Sequence, residues 1–198
     1  MEIFENEQIV ISRNIISEES ADKMDMEKEE IIPFIPLALP EDQTTITVKN
    51  LLHNWLYDNI SELKRKDNTK EGNQEKMVNE LNTYMITNLP YLLCLAINRF
   101  NNQGIRIETD VIIQKKISPY NKDLINTNKW DFHAAICHKG LTNKSGHYYT
   151  LLASNHKWYI FDDQEIPCMY EVKMDDKEVT NMIKKECVFL LYRLPKFY

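Results

Sequence analysis

Ser145-Gly146-His147-Tyr148-Tyr149-Thr150-Leu151-Leu152, followed shortly by Trp158-Tyr159-Ile160-Phe161-Asp162-Asp163, decides how this chain is read. Both runs have the texture of strands, and only Ala153 to Lys157 lie between them to turn the chain. Antiparallel strands joined by so short a turn are neighbours, so the start of the first meets the end of the second. His147 is thereby expected beside Asp162. A carboxylate on one imidazole nitrogen fixes the tautomer and leaves the other nitrogen as a base for a thiol or hydroxyl. Two thirds of a catalytic triad are legible here, without a nucleophile.

Further strands surround this hairpin. Tyr91-Leu92-Leu93-Cys94-Leu95-Ala96-Ile97 is a nearly continuous apolar run, the mark of a strand buried on both faces. Ile105 to Val111 alternates, Trp130 to His138 reads as a strand, and Cys187 to Leu194 closes the set. Upstream, Val48, Leu51, Leu52, Trp55, Leu56, Ile60 and Leu63 follow a helical spacing, with a threonine near the N-cap. Met77, Val78, Leu81, Tyr84 and Met85 suggest a short second helix whose final residues also read as strand, and Glu178 to Glu186 a short helix before the last strand. The expected class is α+β, N-terminal helices followed by an antiparallel sheet. Residues 1–30 are polar and are expected to be a loose segment, with one domain over 31–198.

Composition excludes several roles. The chain has 198 residues, 43% hydrophobic and 27% charged, enough for a real core. A net charge of −6 with scattered Lys and Arg argues against a nucleic-acid partner. No apolar run reaches the length of a membrane span, and residues 1–7 lack the pattern of a secretory signal. Cys94, Cys137, Cys168 and Cys187 form no CxxC pair, so neither a disulfide framework nor a metal site is expected. An intracellular location, cytoplasmic or nuclear, follows as the expectation. No cofactor is implied.

The other histidines invite plainer readings. His53 lies among polar residues of the helix and His156 in the hairpin turn, both surface positions, while His133 alternates with Phe132 on a strand. His138 ends that strand just before Lys139-Gly140.

Three motifs then carry a resemblance. The run Trp130-Asp131-Phe132-His133-Ala134-Ala135-Ile136-Cys137-His138-Lys139-Gly140, with Ser145-Gly146-His147-Tyr148 and Trp158 to Asp163, resembles the histidine box of the ubiquitin-specific proteases, papain-like cysteine deubiquitinases. Leu89 to Phe100, ending Arg99-Phe100, is similar to that family's strand of Pro, apolar run and Arg-Phe. Cys187-Val188-Phe189-Leu190-Leu191-Tyr192-Arg193 is similar to its closing strand. Together they cover residues 86–194 and imply the palm half of that fold. The resemblance implies His147 as general base, Asp162 as its orienting residue and Asp163 as a second acidic neighbour. It implies Gly146, Tyr148, Gly140, His138 and Trp158 at the site of the ubiquitin tail. Gly140 to Ser145 and Asn101 to Gly104 correspond to the two loops covering that tail, with a channel between them.

Two departures accompany it. Met1 to Asn88 contains no cysteine, so the family's Gly-Asn-Thr-Cys turn, with its helix N-terminus and oxyanion amide, is missing. Among the cysteines present, Cys168 alone has an exposed context, and nothing in the family places a nucleophile there. The zinc-binding CxxC pairs are absent as well, so the fingers subdomain is expected to be reduced or lost. The reading is a C-terminal, histidine-bearing half of a deubiquitinase whose partners are ubiquitin, or a ubiquitinated protein, and a separate chain supplying the cysteine half. Its alternative is an inactive homologue that binds ubiquitin or another partner.

Overall fold

The computed structural model describes residues 8–17, 25–66, 75–88, 90–118 and 129–195. In chain order its elements are β1 (Ile9–Ser17), β2 (Asp25–Ile32), β3 (Ile35–Ala38), β4 (Thr45–Thr47), α1 (Val48–Tyr57), β5 (Asn59–Lys66), β6 (Glu75–Ile86) and β7 (Leu92–Asn98). There follow β8 (Asp110–Ile112), β9 (Lys116–Ile117), β10 (Trp130–Thr142), β11 (Ser145–Ser154), β12 (Lys157–Phe161), β13 (Met169–Val172), α2 (Lys177–Glu186) and β14 (Cys187–Arg193).

The main sheet runs β13-β12-β11-β10-β14-β7-β3, with β9 also paired to β10. Its pairings are antiparallel except β3 with β7. β7 buries Leu93, Leu95 and Ile97 completely and half-buries the residues between them, as its continuous apolar run requires. β14 lies between β7 and β10, although it comes last in sequence, and buries Cys187, Leu190 and Tyr192. Trp130 anchors the start of β10, fully buried, its indole Nε1 donating to the Pro90 carbonyl at 2.8 Å.

β11 and β12 are joined by Asn155 and His156, both with positive φ (49° and 62°). That is the two-residue turn whose twist matches the flanking strands, and Asn tolerates it best among non-glycine residues. The expected hairpin is therefore present. It is extended on its other side by β10, with Lys139 opposite His147 and His138 opposite Tyr148.

α1 begins where the sequence indicates, with Thr47 Oγ1 accepting the Asn50 N–H at 3.0 Å. A cap of this kind contributes about 1 kcal/mol. Burying Val48, Leu51, Leu52 and Leu56 contributes roughly 1.5–3 kcal/mol each for the large side chains, so packing holds the helix. α2 starts at Asp176, whose carboxylate accepts the Glu178 N–H at 2.8 Å, and turns Ile183 inward.

The N-terminal region departs from the expectation. Two helices occur among the described residues, and α1 ends at Tyr57 instead of running on to Leu63. Asn59–Lys66 is β5, and the segment expected as a second helix is β6. β6 pairs with β5 along one edge, from Asn59 opposite Asn82 to Lys66 opposite Glu75, and with β1 along the other. Ladder hydrogen bonds on both edges outweigh a helical spacing that satisfies no partner. Nor is 1–30 simply a loose segment: Ile9–Ser17 and Asp25–Ile32 pair with each other, and Ile9 and Ile11 are buried. The resulting four-stranded sheet runs β2-β1-β6-β5, and its strands contain no cysteine. No helix among the described residues is long and apolar enough to cross a membrane.

Candidate active site

His147 opens β11 and Asp162 immediately follows β12, so the hairpin itself carries them to one end of the sheet. The imidazole Nε2 lies 2.5 Å from Asp162 Oδ1, and both side chains are mostly buried. Asp163 Oδ1 is 3.8 Å from the same nitrogen, but its side chain is largely exposed. Asp162 is thus the hydrogen-bonded partner and Asp163 a more distant, solvated charge. With Nε2 engaged, Nδ1 is the nitrogen that can take a proton.

The carboxylate is itself positioned. Asp162 Oδ1 also accepts the Gln164 N–H at 3.0 Å, and the Asp162 N–H donates to the Cys168 carbonyl at 2.8 Å. The Gln164 amide, followed by the His147 bond, holds the Asp162 carboxyl below the usual carboxylate range. It is therefore ionised at neutral pH and able to stabilise an imidazolium.

The ligating atoms of His147, Asp162 and Asp163 lie within 4.8 Å of one another, the one such grouping found among the described residues. Nitrogen and oxygen ligands sharing one tetrahedral zinc, each about 2.0–2.2 Å from it, would stand roughly 3.4 Å apart. The observed 2.5 Å is a hydrogen bond between the groups, not the spacing of two ligands around an ion.

Beside this pair lies a second cluster. His138 is 2% exposed, its ring packed between Phe100 (centroids 5.4 Å apart) and Tyr148 (4.6 Å). Gly146 presses on that ring: a Cβ there would stand 2.1 Å from His138 Nε2. Gly140 is equally confined, since its Cβ would meet the Ser145 carbonyl at 2.5 Å. Arg106 binds the cluster together, donating from Nε to the Gly140 carbonyl at 2.6 Å, from Nη1 to the Lys185 carbonyl at 2.9 Å and from Nη2 to the His138 carbonyl. Burial first, then the Arg106 charge, push the His138 imidazole below its ordinary value, so it is neutral at pH 7.

Of the residues singled out from sequence, His147, Asp162 and Asp163 come together, and His138, Gly140, Gly146 and Tyr148 form the adjoining cluster. Trp158 stands apart from both. It stacks on Phe132 at 5.1 Å and 22° and is packed against the core.

The expected channel between residues 101–104 and the hairpin tip is closed. Asn143 donates to the Gly104 carbonyl at 3.0 Å, and the Arg106 N–H donates to Leu141 O at 3.0 Å. Gly104 adopts φ +76°, and a Cβ there would strike the Asn143 amide at 2.5 Å. The two segments are laced edge to edge, leaving exposed Tyr148 and Gly146 as surface beside them.

The cysteines divide as their contexts indicate. Cys137 and Cys187 are buried, and desolvation pushes both thiols above their ordinary value, away from the thiolate a nucleophile needs. Cys94 is half-buried and Cys168 exposed.

Sequence reasoning missed Arg106 and Glu186. Arg106 lies in an alternating run that reads as half-exposed. Glu186 ends α2 and accepts the Tyr149 hydroxyl at 2.7 Å beneath β11. A single charged residue in such a run carries no local mark of its tertiary partners.

A family model described as ubiquitin carboxyl-terminal hydrolase matches residues 13–192. No curated protein matches the sequence. Among solved structures, a chain of the yeast SAGA DUB module carrying an Sgf73 mutant superposes with a TM-score of 0.69 at 16% identity, covering 97% of this chain and 42% of that one. The SAGA DUB module of a Ubp8 variant with Sgf11, Sus1 and Sgf73, bound to monoubiquitin, gives 0.69 at 15% identity, with 97% and 41% covered. The module bound to ubiquitin aldehyde gives 0.64 at 17% identity, with 97% and 42% covered. At such identities the likeness is one of fold, and this chain spans less than half the length of the chains it matches.

Proposed function

This chain belongs to the ubiquitin carboxyl-terminal hydrolase family, and on that premise we propose that it carries the base and orienting acid of a deubiquitinating cysteine-protease site, His147 and Asp162, without the thiol they would serve. The observation that carries this reading is the 2.5 Å bond between His147 Nε2 and an Asp162 carboxylate fixed by the Gln164 amide. An imidazole held this way is oriented to take a thiol proton at Nδ1 and return it to a leaving amine, with Asp162 balancing the charge between the two steps. A nucleophile has to meet that nitrogen at about 3 Å. The raised, buried thiols of Cys137 and Cys187 do not qualify, and Cys168 does not stand at a helix N-terminus that would activate it. A cysteine supplied by another chain or segment would complete the site.

Ubiquitin is the proposed partner. Tyr148 and Gly146, surface residues on either side of His147, are where its extended C-terminal tail would lie. A second reading, an inactive module that binds ubiquitin or another partner, draws support from the same lack of an activatable thiol.

Hydrolysis of a ubiquitin C-terminal fluorogenic amide tests both. The 198 residues alone should give no turnover, while NMR titration with labelled ubiquitin should show weak binding, about micromolar or poorer. Turnover lost on His147→Ala would overturn the missing-thiol reading. The absence of ubiquitin shifts at millimolar concentration would remove ubiquitin as the partner.

A further inference from the structure

At the opposite end of the β10–β11–β12 hairpins from His147 lies an open cleft of about 750 Å³. One wall is Asp131, His133 and Arg193, from the start of β10 and the end of β14. The other is the β11–β12 turn, Ser154, Asn155 and His156, and Phe132 and Leu152 contribute an apolar floor. A volume of this size falls in the range of small-molecule sites.

The charges in the cleft are not mutually neutralised. Asp131 stands directly opposite Arg193 in the ladder, where an ion pair between them would be the ordinary outcome. Its carboxylate instead turns to Lys116 on the other side, at 2.7 Å. Among the described residues Arg193 forms no ion pair, and its guanidinium is left exposed on the cleft wall. Burial first and the Arg193 charge second hold the His133 imidazole below its ordinary value, placing a neutral ring with an N–H donor beside that cation. The Ser154 hydroxyl and the Asn155 amide add two more donors. The lining therefore offers donors around one unspent cation, and its one carboxylate is already taken. Leu152, exposed although apolar, adds a surface that an inorganic ion would leave unused.

We propose that this cleft binds an organic oxyanion, a carboxylate or phosphate carried on a small apolar body, with Arg193 gripping the anionic group and Leu152 receiving the apolar part. Guanidinium is suited to this because its planar fork meets two oxygens at once. The site is separate from the His147–Asp162 pair and does not depend on what that pair does.

Two-dimensional NMR of the full chain, titrated separately with benzoate, phenyl phosphate, inorganic phosphate and benzyl alcohol, tests the proposal. Benzoate and phenyl phosphate should saturate shifts at His133 and residues 154–156 with dissociation constants of about 1 mM or tighter. Inorganic phosphate and benzyl alcohol should each bind clearly more weakly. Arg193→Gln, a change at an exposed strand end, should weaken benzoate by roughly tenfold, and Ser154→Ala by a smaller factor. His147→Ala should leave the binding unchanged. Shifts centred on His147, equal affinity for all three anions with no effect of Arg193→Gln, or no saturation by about 10 mM would each overturn the proposal.

Discussion

Gly146→Ala should destabilise the protein by about 2–4 kcal/mol, and the reason lies in one ring. The added methyl would stand 2.1 Å from His138 Nε2, 2.5 Å from Cε1 and 2.8 Å from the Lys139 carbonyl. Carbon contacts relax only near 3.5 Å, so the imidazole would have to retreat by more than about 1 Å. It has nowhere to go. The ring is 2% exposed, closed in by Phe100 and Tyr148, and its Nδ1 lies 3.4 Å from Arg106. Overpacking of this kind costs typically 1–3 kcal/mol, and a φ of +158° adds roughly another 1 kcal/mol once a Cβ is present. Urea denaturation of wild type, Gly146→Ala, His138→Ala and the double variant isolates the contact. If the glycine exists to make room for His138, the alanine should cost at least about 1 kcal/mol less when the ring is already gone. A penalty below about 0.5 kcal/mol in the wild-type background, or an equal penalty in both backgrounds, would refute the reasoning.

Asp162 should titrate below the ordinary carboxylate midpoint by carbon NMR. Because its folded-state value is depressed, its contribution is fully present above the unfolded value of about 4 and is lost as pH falls through the folded one; a midpoint at or above 4 would contradict the Gln164 and His147 bonds. Arg99→Leu should cost about 3 kcal/mol or more, since the buried guanidinium donates to the Cys187, Thr109 and Lys184 carbonyls and its loss strands them. Hydrogen exchange should then speed up in the last turn of α2, and unchanged protection there would count against the capping role. Under native conditions a thiol reagent followed by mass spectrometry should modify Cys168 first, with Cys137 and Cys187 reacting only after unfolding; early labelling of either buried cysteine would undo their assignment as inert core residues.

The order of β10, β11 and β12 was determined by sequence alone, because alternation has a period of two and the intervening turn is too short for any other pairing. From that follows the meeting of His147 and Asp162, a local consequence of one hairpin. α1 was equally legible, with its threonine cap and four inward leucine and valine residues on one stripe. Its end was not. Ile60 and Leu63, three residues apart, fit a continued helix better than an alternating strand, and the backbone of β6 made the choice by offering β5 a ladder. β6 itself carries apolar residues at spacings that suit either structure, and only pairing along both its edges decided the matter.

The surroundings of the site belong to the tertiary structure. His138 and Gly146 are eight residues apart in sequence, and nothing local says that a ring would fill the space a side chain at 146 needs. The hairpin register put Tyr148 opposite His138, and Arg106 tied the His138 and Gly140 carbonyls to the end of α2. Trp158 lies in the same motif as Asp162 yet packs on Phe132, because it stands near the start of β12 whereas Asp162 follows the other end, about 13 Å further along the strand. The same distinction applies to the 101–104 turn and the hairpin tip. Their sequences marked two loops, but only the hydrogen bonds across them closed the space between. Short-range periodicity fixes which backbones become neighbours, whereas contacts across many residues depend on how whole elements pack, and no single stretch of sequence encodes that packing.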